Sequence, residues 1–137
     1  GLTVIDISNP QSPLYKTNVS ATASAVDVVL NGNYAYVAVG SSGMDVFDIS
    51  DPANPVFKTN YYKGGFTNHI NIADNIAYLA NWDRVEVVDI SDPANPDLVG
   101  TEIAQKRSMA IAVSGNTFFA GDWNTFRIYK YIGYPTN

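Results

Sequence analysis

The sequence predicts an all-β fold built from repeated four-stranded sheets. The first observation is a turn motif, Asp-Ile-Ser-(Asn/Asp)-Pro-x-x-Pro, whose three copies begin at Asp6, Asp48 and Asp89, 42 and 41 residues apart. The second is an Asn that precedes an aromatic-rich strand and recurs with the same two spacings, at Asn33, Asn75 and Asn116. Because both motifs keep one register, the chain is a repeat array with a period of 41–42 residues.

Each repeat contains four short segments that favour strands. The first four predicted strands span residues 2–7, 14–18, 25–30 and 34–39, and they are rich in β-branched and aromatic residues. Proline in the Asp-Pro turns ends a strand because it has no N–H for the ladder, and Asn31-Gly32 favours a tight hairpin turn. No segment has the helical period, so the predicted class is all-β.

Four strands in one period of this length are typical of a β-propeller blade. A unit this short cannot bury a core alone and has to pack between neighbours. Strands that are apolar on both faces agree with such packing, and the examples are Val85, Val87 and Val88 in one strand and Val26, Val28 and Val29 in another. By analogy with other propellers, the strand before each Asn is innermost. We therefore predict a partial β-propeller of about three four-stranded blades, with an incomplete ring in one chain.

Three segments carry a family resemblance. Residues 2–6, 44–48 and 85–89 read Leu-Thr-Val-Ile-Asp, Met-Asp-Val-Phe-Asp and Val-Glu-Val-Val-Asp, and Asp-Pro-Ala-Asn-Pro follows the last two. They resemble the LVIVD repeat, a propeller-type repeat of bacterial and archaeal proteins. The resemblance covers nearly the whole chain, and it implies an extracellular or cell-surface location. The last copy departs from the pattern, since Lys130 stands where Asp is expected, as at a terminal blade or at the edge of the repeat array.

The repeat register divides the chain into parts of one array over residues 1–137. We predict the outer strands of a blade at 1–20, blades at 21–62 and 63–103, and an incomplete terminal blade at 104–137. Propellers close with about four to eight blades. The remaining blades are therefore expected from a longer chain or from homo-oligomerisation, for example a homodimer of six blades.

One candidate site lies on the predicted innermost strands. His69, the only histidine, aligns with Asp27 and Ala110, each six residues before the Asn of its repeat. Asp27 and His69 are therefore expected to face each other across neighbouring blades near the central channel. They form either a hydrogen-bonded channel lining or part of a ligand site. A metal ion would need further ligands, and the third equivalent is an alanine.

Two other sets of repeated residues have both functional and structural interpretations. Trp82 and Trp123 occupy equivalent loop positions beside Asp and Asn, where an indole either stacks on a sugar or caps the core between blades. The repeated Asp6, Asp48 and Asp89 are expected to cap turns. They are not expected to bind calcium, because one carboxylate per blade cannot gather the oxygens that Ca²⁺ needs.

Composition limits the possible functions. The net charge of −5 and scattered basic residues argue against a nucleic-acid partner. Cysteine is absent, and no apolar run is long enough for a membrane span. Catalytic motifs are also absent, so we predict no catalytic residue, no metal and no cofactor.

The predicted function is therefore a non-catalytic interaction scaffold that binds a protein or carbohydrate partner. The candidate binding residues are Asp27, His69, Trp82 and Trp123. The alternative is one sector of a propeller hydrolase or metal-dependent enzyme that acts in the central channel.

Overall fold

A computed structural model describes residues 1–104, 107–115, 117–122 and 126–130, except for the side chains of Tyr129 and Lys130. Within these ranges the chain forms thirteen β-strands and no helix. The strands are β1 (Leu2–Asp6), β2 (Leu14–Val19), β3 (Asp27–Asn31), β4 (Tyr34–Ala38), β5 (Met44–Asp48), β6 (Val56–Tyr61), β7 (Thr67–Ala73), β8 (Ile76–Asn81), β9 (Arg84–Asp89), β10 (Asp97–Ile103), β11 (Ser108–Ser114), β12 (Thr117–Asp122) and β13 (Phe126–Lys130).

The strands form four antiparallel sheets in which sequence neighbours pair. Two sheets are complete, with the orders β3-β4-β5-β6 and β7-β8-β9-β10. The first sheet holds only β1-β2, and the last holds β11-β12-β13. The first strands of successive sheets lie side by side, so that β7 packs between β3 and β11. The predicted all-β partial propeller is thus confirmed, and the array of sheets is not closed.

Each sheet has two ends with different chemistry. At the turn end lie the hairpin turns between first and second strands, at 32–33 and 74–75, and the Asp-Pro turns, at 49–55 and 90–96. At the linker end lie the links between sheets, at 20–26 and 62–66, and the turns between second and third strands, at 39–43 and 82–83. Gly32 has φ 56°, a conformation that suits glycine in a tight hairpin.

The core lies between the sheets and not within any one of them. One cluster joins the two complete sheets through Tyr36, Val46, Ile70 and Leu79. A second lies between the second complete sheet and β11-β12-β13, and a third lies between β1-β2 and the first complete sheet. This arrangement follows from repeats that are too short to bury a core of their own.

The two-sided burial predicted from the valines holds in one complete sheet and fails in the other. Val85 and Val88 are buried, as predicted. Val26 and Val28, in contrast, are about half exposed, and the prediction for 26–29 is wrong there. The reason is that β1-β2 covers only the outer part of the first complete sheet. The third strand also begins at Asp27, two residues later than predicted.

Candidate functional site

Asp27 and His69 lie on the adjacent inner strands β3 and β7. His69 Nε2 is 3.8 Å from Asp27 Oδ2, with both side chains partly exposed. Each side chain also accepts a hydrogen bond from the backbone of the next sheet. The Ile70 N–H donates to Asp27 Oδ2 at 2.9 Å, and the Ile111 N–H donates to His69 Nδ1 at 3.4 Å. The same device therefore joins β3 to β7 and β7 to β11.

This geometry gives both side chains a structural role. Because Nδ1 of His69 accepts a bond, its neutral imidazole carries the proton on Nε2, which faces Asp27. Ala110, at the third equivalent position, has no acceptor in its side chain. Within the described ranges, no three His, Asp or Glu side chains are grouped so as to hold a metal ion.

Trp82 lies at the linker end in a stack of three side chains. Its indole packs nearly parallel to the Phe66 ring, with centroids 5.0 Å apart and an interplanar angle of 25°. The Arg107 guanidinium carbon lies 4.3 Å from the indole centroid, within cation–π range. Trp82 remains 40% exposed. We call Phe66, Trp82 and Arg107 the rim stack.

The rim stack is tied to the backbone that links the sheets. The Trp82 N–H donates to the Phe66 carbonyl at 3.2 Å, and the Ser108 N–H donates to the Trp82 carbonyl at 3.1 Å. Gly40, which aligns with Trp82, lies under Phe66, and a Cβ there would approach Phe66 Cζ to 2.8 Å. The second predicted indole, Trp123, lies outside the described residues.

A buried ion pair holds the linker that carries Phe66. Glu86 is 1% exposed and pairs with Arg84 Nε at 2.7 Å. The Arg84 Nη2 group also donates to the carbonyls of Lys63 and Gly64, at 2.9 and 2.8 Å. Burial disfavours the charged guanidinium and by itself would lower the pKa of Arg84. The hydrogen bond to Glu86 and the negative charges of Glu86 and Asp83 outweigh this effect and raise the pKa of Arg84.

The same position in the preceding sheet holds another buried acid. Asp45 aligns with Glu86 and is fully buried. It accepts bonds from the Thr22 N–H at 2.7 Å, the Thr22 hydroxyl at 2.8 Å and the Asn60 amide at 2.8 Å. A buried acid on the third strand thus fixes the linker before each complete sheet, since a buried carboxylate needs such partners.

The repeated aspartates at the turn end act as backbone caps. Asp6, Asp48 and Asp89 each accept a bond from the N–H two residues later, at 2.9, 3.0 and 2.8 Å. Lys16 and Lys58 lie 3.1 and 3.3 Å from the first two. The backbone bond from Ser8 and the bond to Lys16 lower the pKa of Asp6 to about 2.

Sequence reasoning missed two members of the rim stack. Phe66 and Arg107 align with each other, nine residues before the Asn of their repeats. That alignment was available from the sequence. However, they differ in type, and only the folded linkers bring both of them to Trp82.

Comparisons with known proteins agree with this architecture. The LVIVD repeat matches residues 1–21, 23–63 and 64–102. No curated protein matches the sequence. Two crystal structures, of the computationally designed Ika8 and Ika4 proteins, each match with a TM-score of 0.62 at 15% identity over 75% of this chain. The match spans 32% of the Ika8 chain and 63% of the Ika4 chain, and at this identity it shows the fold alone.

Proposed function

Because the chain belongs to the LVIVD repeat family, we propose that it is a non-catalytic interaction scaffold that binds a protein partner at its linker end. The observation that carries the proposal is the rim stack, which keeps a partly exposed Trp82 between an aromatic ring and a guanidinium. Trp and Arg are the residue types that dominate binding energy in protein interfaces. An indole held in place before binding also loses little conformational entropy when a partner arrives.

The surroundings of the rim stack support a protein partner. Tyr62 is half exposed, Lys63 is exposed, and the Asp83 side chain is 69% exposed. An aromatic centre with charged neighbours is the usual composition of a protein interface. A sugar ring would have to compete with Phe66 and Arg107 for the faces of the indole. A carbohydrate ligand is therefore the alternative outcome of the test below.

The test starts with a photo-cross-linking amino acid at Asp83, beside the rim stack. A matched variant carries it at Lys58, an exposed residue of the turn end. We expect a defined protein to be captured from extracellular fractions only with the Asp83 probe. With that partner purified, Trp82→Ala should raise the dissociation constant about tenfold or more, while Lys58→Ala leaves it unchanged.

Two results would count against a protein partner at the rim stack. One is equal capture from both probe positions, or an affinity that Trp82→Ala does not change. The other is glycan-array binding that Trp82→Ala or Trp123→Ala abolishes, which would favour the carbohydrate alternative.

The channel-enzyme alternative has its own test. The side chains of Asp27 and His69 each accept a hydrogen bond from a backbone N–H of the next sheet, which supports a structural role for the pair. We expect metal analysis of the purified chain to detect no bound metal. We also expect His69→Ala to have the same hydrolytic activity as the native chain. Loss of a bound metal or of a measured hydrolytic activity in His69→Ala would favour the enzyme.

The location is part of the same proposal. Family resemblance suggests an extracellular or cell-surface protein. No helix in the described ranges is long and apolar enough to cross a bilayer. Surface biotinylation of intact source cells, together with assay of the medium, should label or recover the protein. Recovery only from lysed cells would contradict this part of the proposal.

A further inference from the structure

We propose that the gap between β1 and β3 is a docking slot for the β11-β12 hairpin of a second copy of this chain. The added hairpin would complete the two-stranded first sheet to four strands. This inference goes beyond the proposed function, because it concerns how the array closes and does not depend on the rim stack.

The slot combines an open strand edge with an uncovered apolar face. Within the part of the chain that the structure describes, β5 and β9 pair with strands on both sides, whereas their equivalent β1 pairs only with β2. Beside the free edge of β1 lies a cavity of about 380 Å³, lined by residues 2–5, Val28, Leu30 and Ala35. Unpaired N–H and C=O groups on such an edge are a template for another strand.

Equivalent residues on the three inner strands show what the slot lacks. Val28 of β3 is 47% exposed, whereas Ile70 of β7 and Ile111 of β11 are 0% and 4% exposed. In the complete part of the array, Tyr36 and Tyr78, both on second strands, share clusters with Ile70 and Ile111 respectively. The missing cover for Val28 is therefore an inner hairpin with an aromatic residue at that position.

The β11-β12 hairpin has the required residue. Phe119 of β12 aligns with Tyr36 and Tyr78, and its side chain is partly exposed. The hairpin supplies first and second strands, while β1 and β2 are equivalent to third and fourth strands. Together they restore the order of a complete sheet, such as β3-β4-β5-β6.

The hydrogen bonds between inner strands also fit this junction. Inside the array, Asp27 and His69 each accept an N–H from the following strand. Ala110 offers no side-chain acceptor to a strand that follows β11. The equivalent donor on β3 is the Val28 N–H, and Asp27 Oδ1 of its own strand already accepts it at 2.9 Å. If β11 of one copy lies beside β3 of the other, the Val28 N–H therefore keeps a hydrogen-bond partner although Ala110 offers none.

Docking requires β13 to leave the edge of β12, and the structure limits that loss. Phe126 and Ile128 of β13 are 69% and 64% exposed, whereas their equivalents Met44 and Val46 in β5 are fully buried. The backbone pairing of β12 with β13, the stack of Phe119 on Phe126 with ring centroids 5.9 Å apart, and the ion pair of Arg127 with Asp122 at 3.3 Å all have to break. Pairing of β12 with β1 of the second copy replaces the lost backbone ladder. Strands β1 to β12 then form three four-stranded sheets per copy, and two copies give six, within the range of about four to eight blades that close.

The first experiment measures the solution mass by light scattering after size exclusion. We expect twice the chain mass of 14.9 kDa. Leu30→Lys places a charge in the slot and should give a monomer with an unchanged β-sheet circular dichroism spectrum. The matched control Ile103→Lys, at a residue 74% exposed on β10, should remain a dimer. A monomeric native chain would overturn the proposal, because the slot would then await a hairpin from another source.

The second experiment tests the register. Phe119 pairs with Ile128 in the present sheet, and Val4 is the equivalent of Ile128 in β1. In a chain without native cysteine, Val4→Cys with Phe119→Cys should form a disulfide between copies, since directly opposite residues lie close enough. Val4→Cys with Phe118→Cys, whose side chain points to the other face, should stay reduced. Equal cross-linking of both pairs, or cross-links within one chain, would contradict the docking geometry.

Discussion

Gly43 illustrates how a single residue determines the path of the chain at the linker end. It ends the turn between β4 and β5 with φ 80°, a conformation that L side chains rarely adopt. A Cβ at this position would collide with the carbonyl oxygen of Tyr61. Arg84 aligns with Gly43 in the next sheet, where the turn is one residue shorter. Glycine is therefore required by the longer turn and not by the repeat itself.

Gly43→Ala is expected to lower the free energy of unfolding by about 2 kcal/mol or more, because strain at positive φ adds to a backbone clash. Gly32→Ala is the matched control, since Gly32 has φ 56° but no atom within 4 Å of an added Cβ. The control should lose about 1 kcal/mol. Urea unfolding followed by circular dichroism measures both. Equal losses for the two variants would show that the Tyr61 contact contributes nothing.

At the same scale, Asp27 and His69 show the limit of alignment. The repeat register places them at one level of neighbouring strands, and the structure brings them within 3.8 Å. Alignment does not reveal that each side chain accepts the N–H of the following sheet. That bond depends on how far one sheet is displaced from the next, which no local pattern encodes.

At the scale of the elements, the repeated Asp-Pro turn is a local device that the sequence largely explains. Each turn begins with an aspartate that accepts the N–H two residues later. Two copies add an aspartate–asparagine bond of 2.7 Å within the turn, from Asn54 to Asp51 and from Asn95 to Asp92. Such bonds join residues close in sequence, so residue type and spacing are enough to predict them.

These turns predict acid sensitivity. The backbone N–H of Ser50 donates to Asp48 and lowers its pKa below the value of 3.8 for a free aspartate. The side chains of Asn54 and Asn95, together with a backbone N–H in each turn, lower the pKa values of Asp51 and Asp92 in the same way. A depressed folded-state pKa stabilises the fold above the unfolded pKa, and this stabilisation is lost as the pH falls. For Asp6, with its pKa of about 2, the loss occurs between about pH 4 and pH 2.

We therefore expect the urea midpoint to fall steadily from pH 4 to pH 2. The variant Asp48→Asn, Asp51→Asn, Asp92→Asn keeps a side-chain oxygen at each turn but has no charge to titrate. Its midpoint should be lower at pH 7 and should depend less on pH. A native chain whose midpoint is constant below pH 4 would refute this explanation.

For the whole molecule, stability comes from the three clusters between neighbouring sheets. Ala77, Leu79 and Val88, on β8 and β9, are fully buried because sheets cover both of their faces. Tyr15 of β2 and Ile5 of β1 are 67% and 52% exposed, because their sheet has one neighbour and only two strands. In such arrays each repeat is stabilised mainly by its nearest neighbours, so the ends open first.

Hydrogen exchange should reveal this gradient. In the Leu30→Lys chain, where the slot is expected to stay empty, amides of β8 should exchange about tenfold or more slowly than those of β1 and β2. In the native chain, docking of a second copy should slow exchange in β1. Uniform protection across β1, β2 and β8 in the Leu30→Lys chain would contradict a stability built from separate junctions.

The amino-acid sequence alone was enough for the strands, the turn caps, the repeat register and the propeller-type architecture. All of these depend on periodicity and on bonds between residues that are close along the chain. The exposure of Val28, the acceptor role of His69 and the meeting of Phe66 and Arg107 at Trp82 were decided by the tertiary structure. They depend on which sheet covers which face, and identical repeat positions differ in this respect when one neighbouring sheet is incomplete.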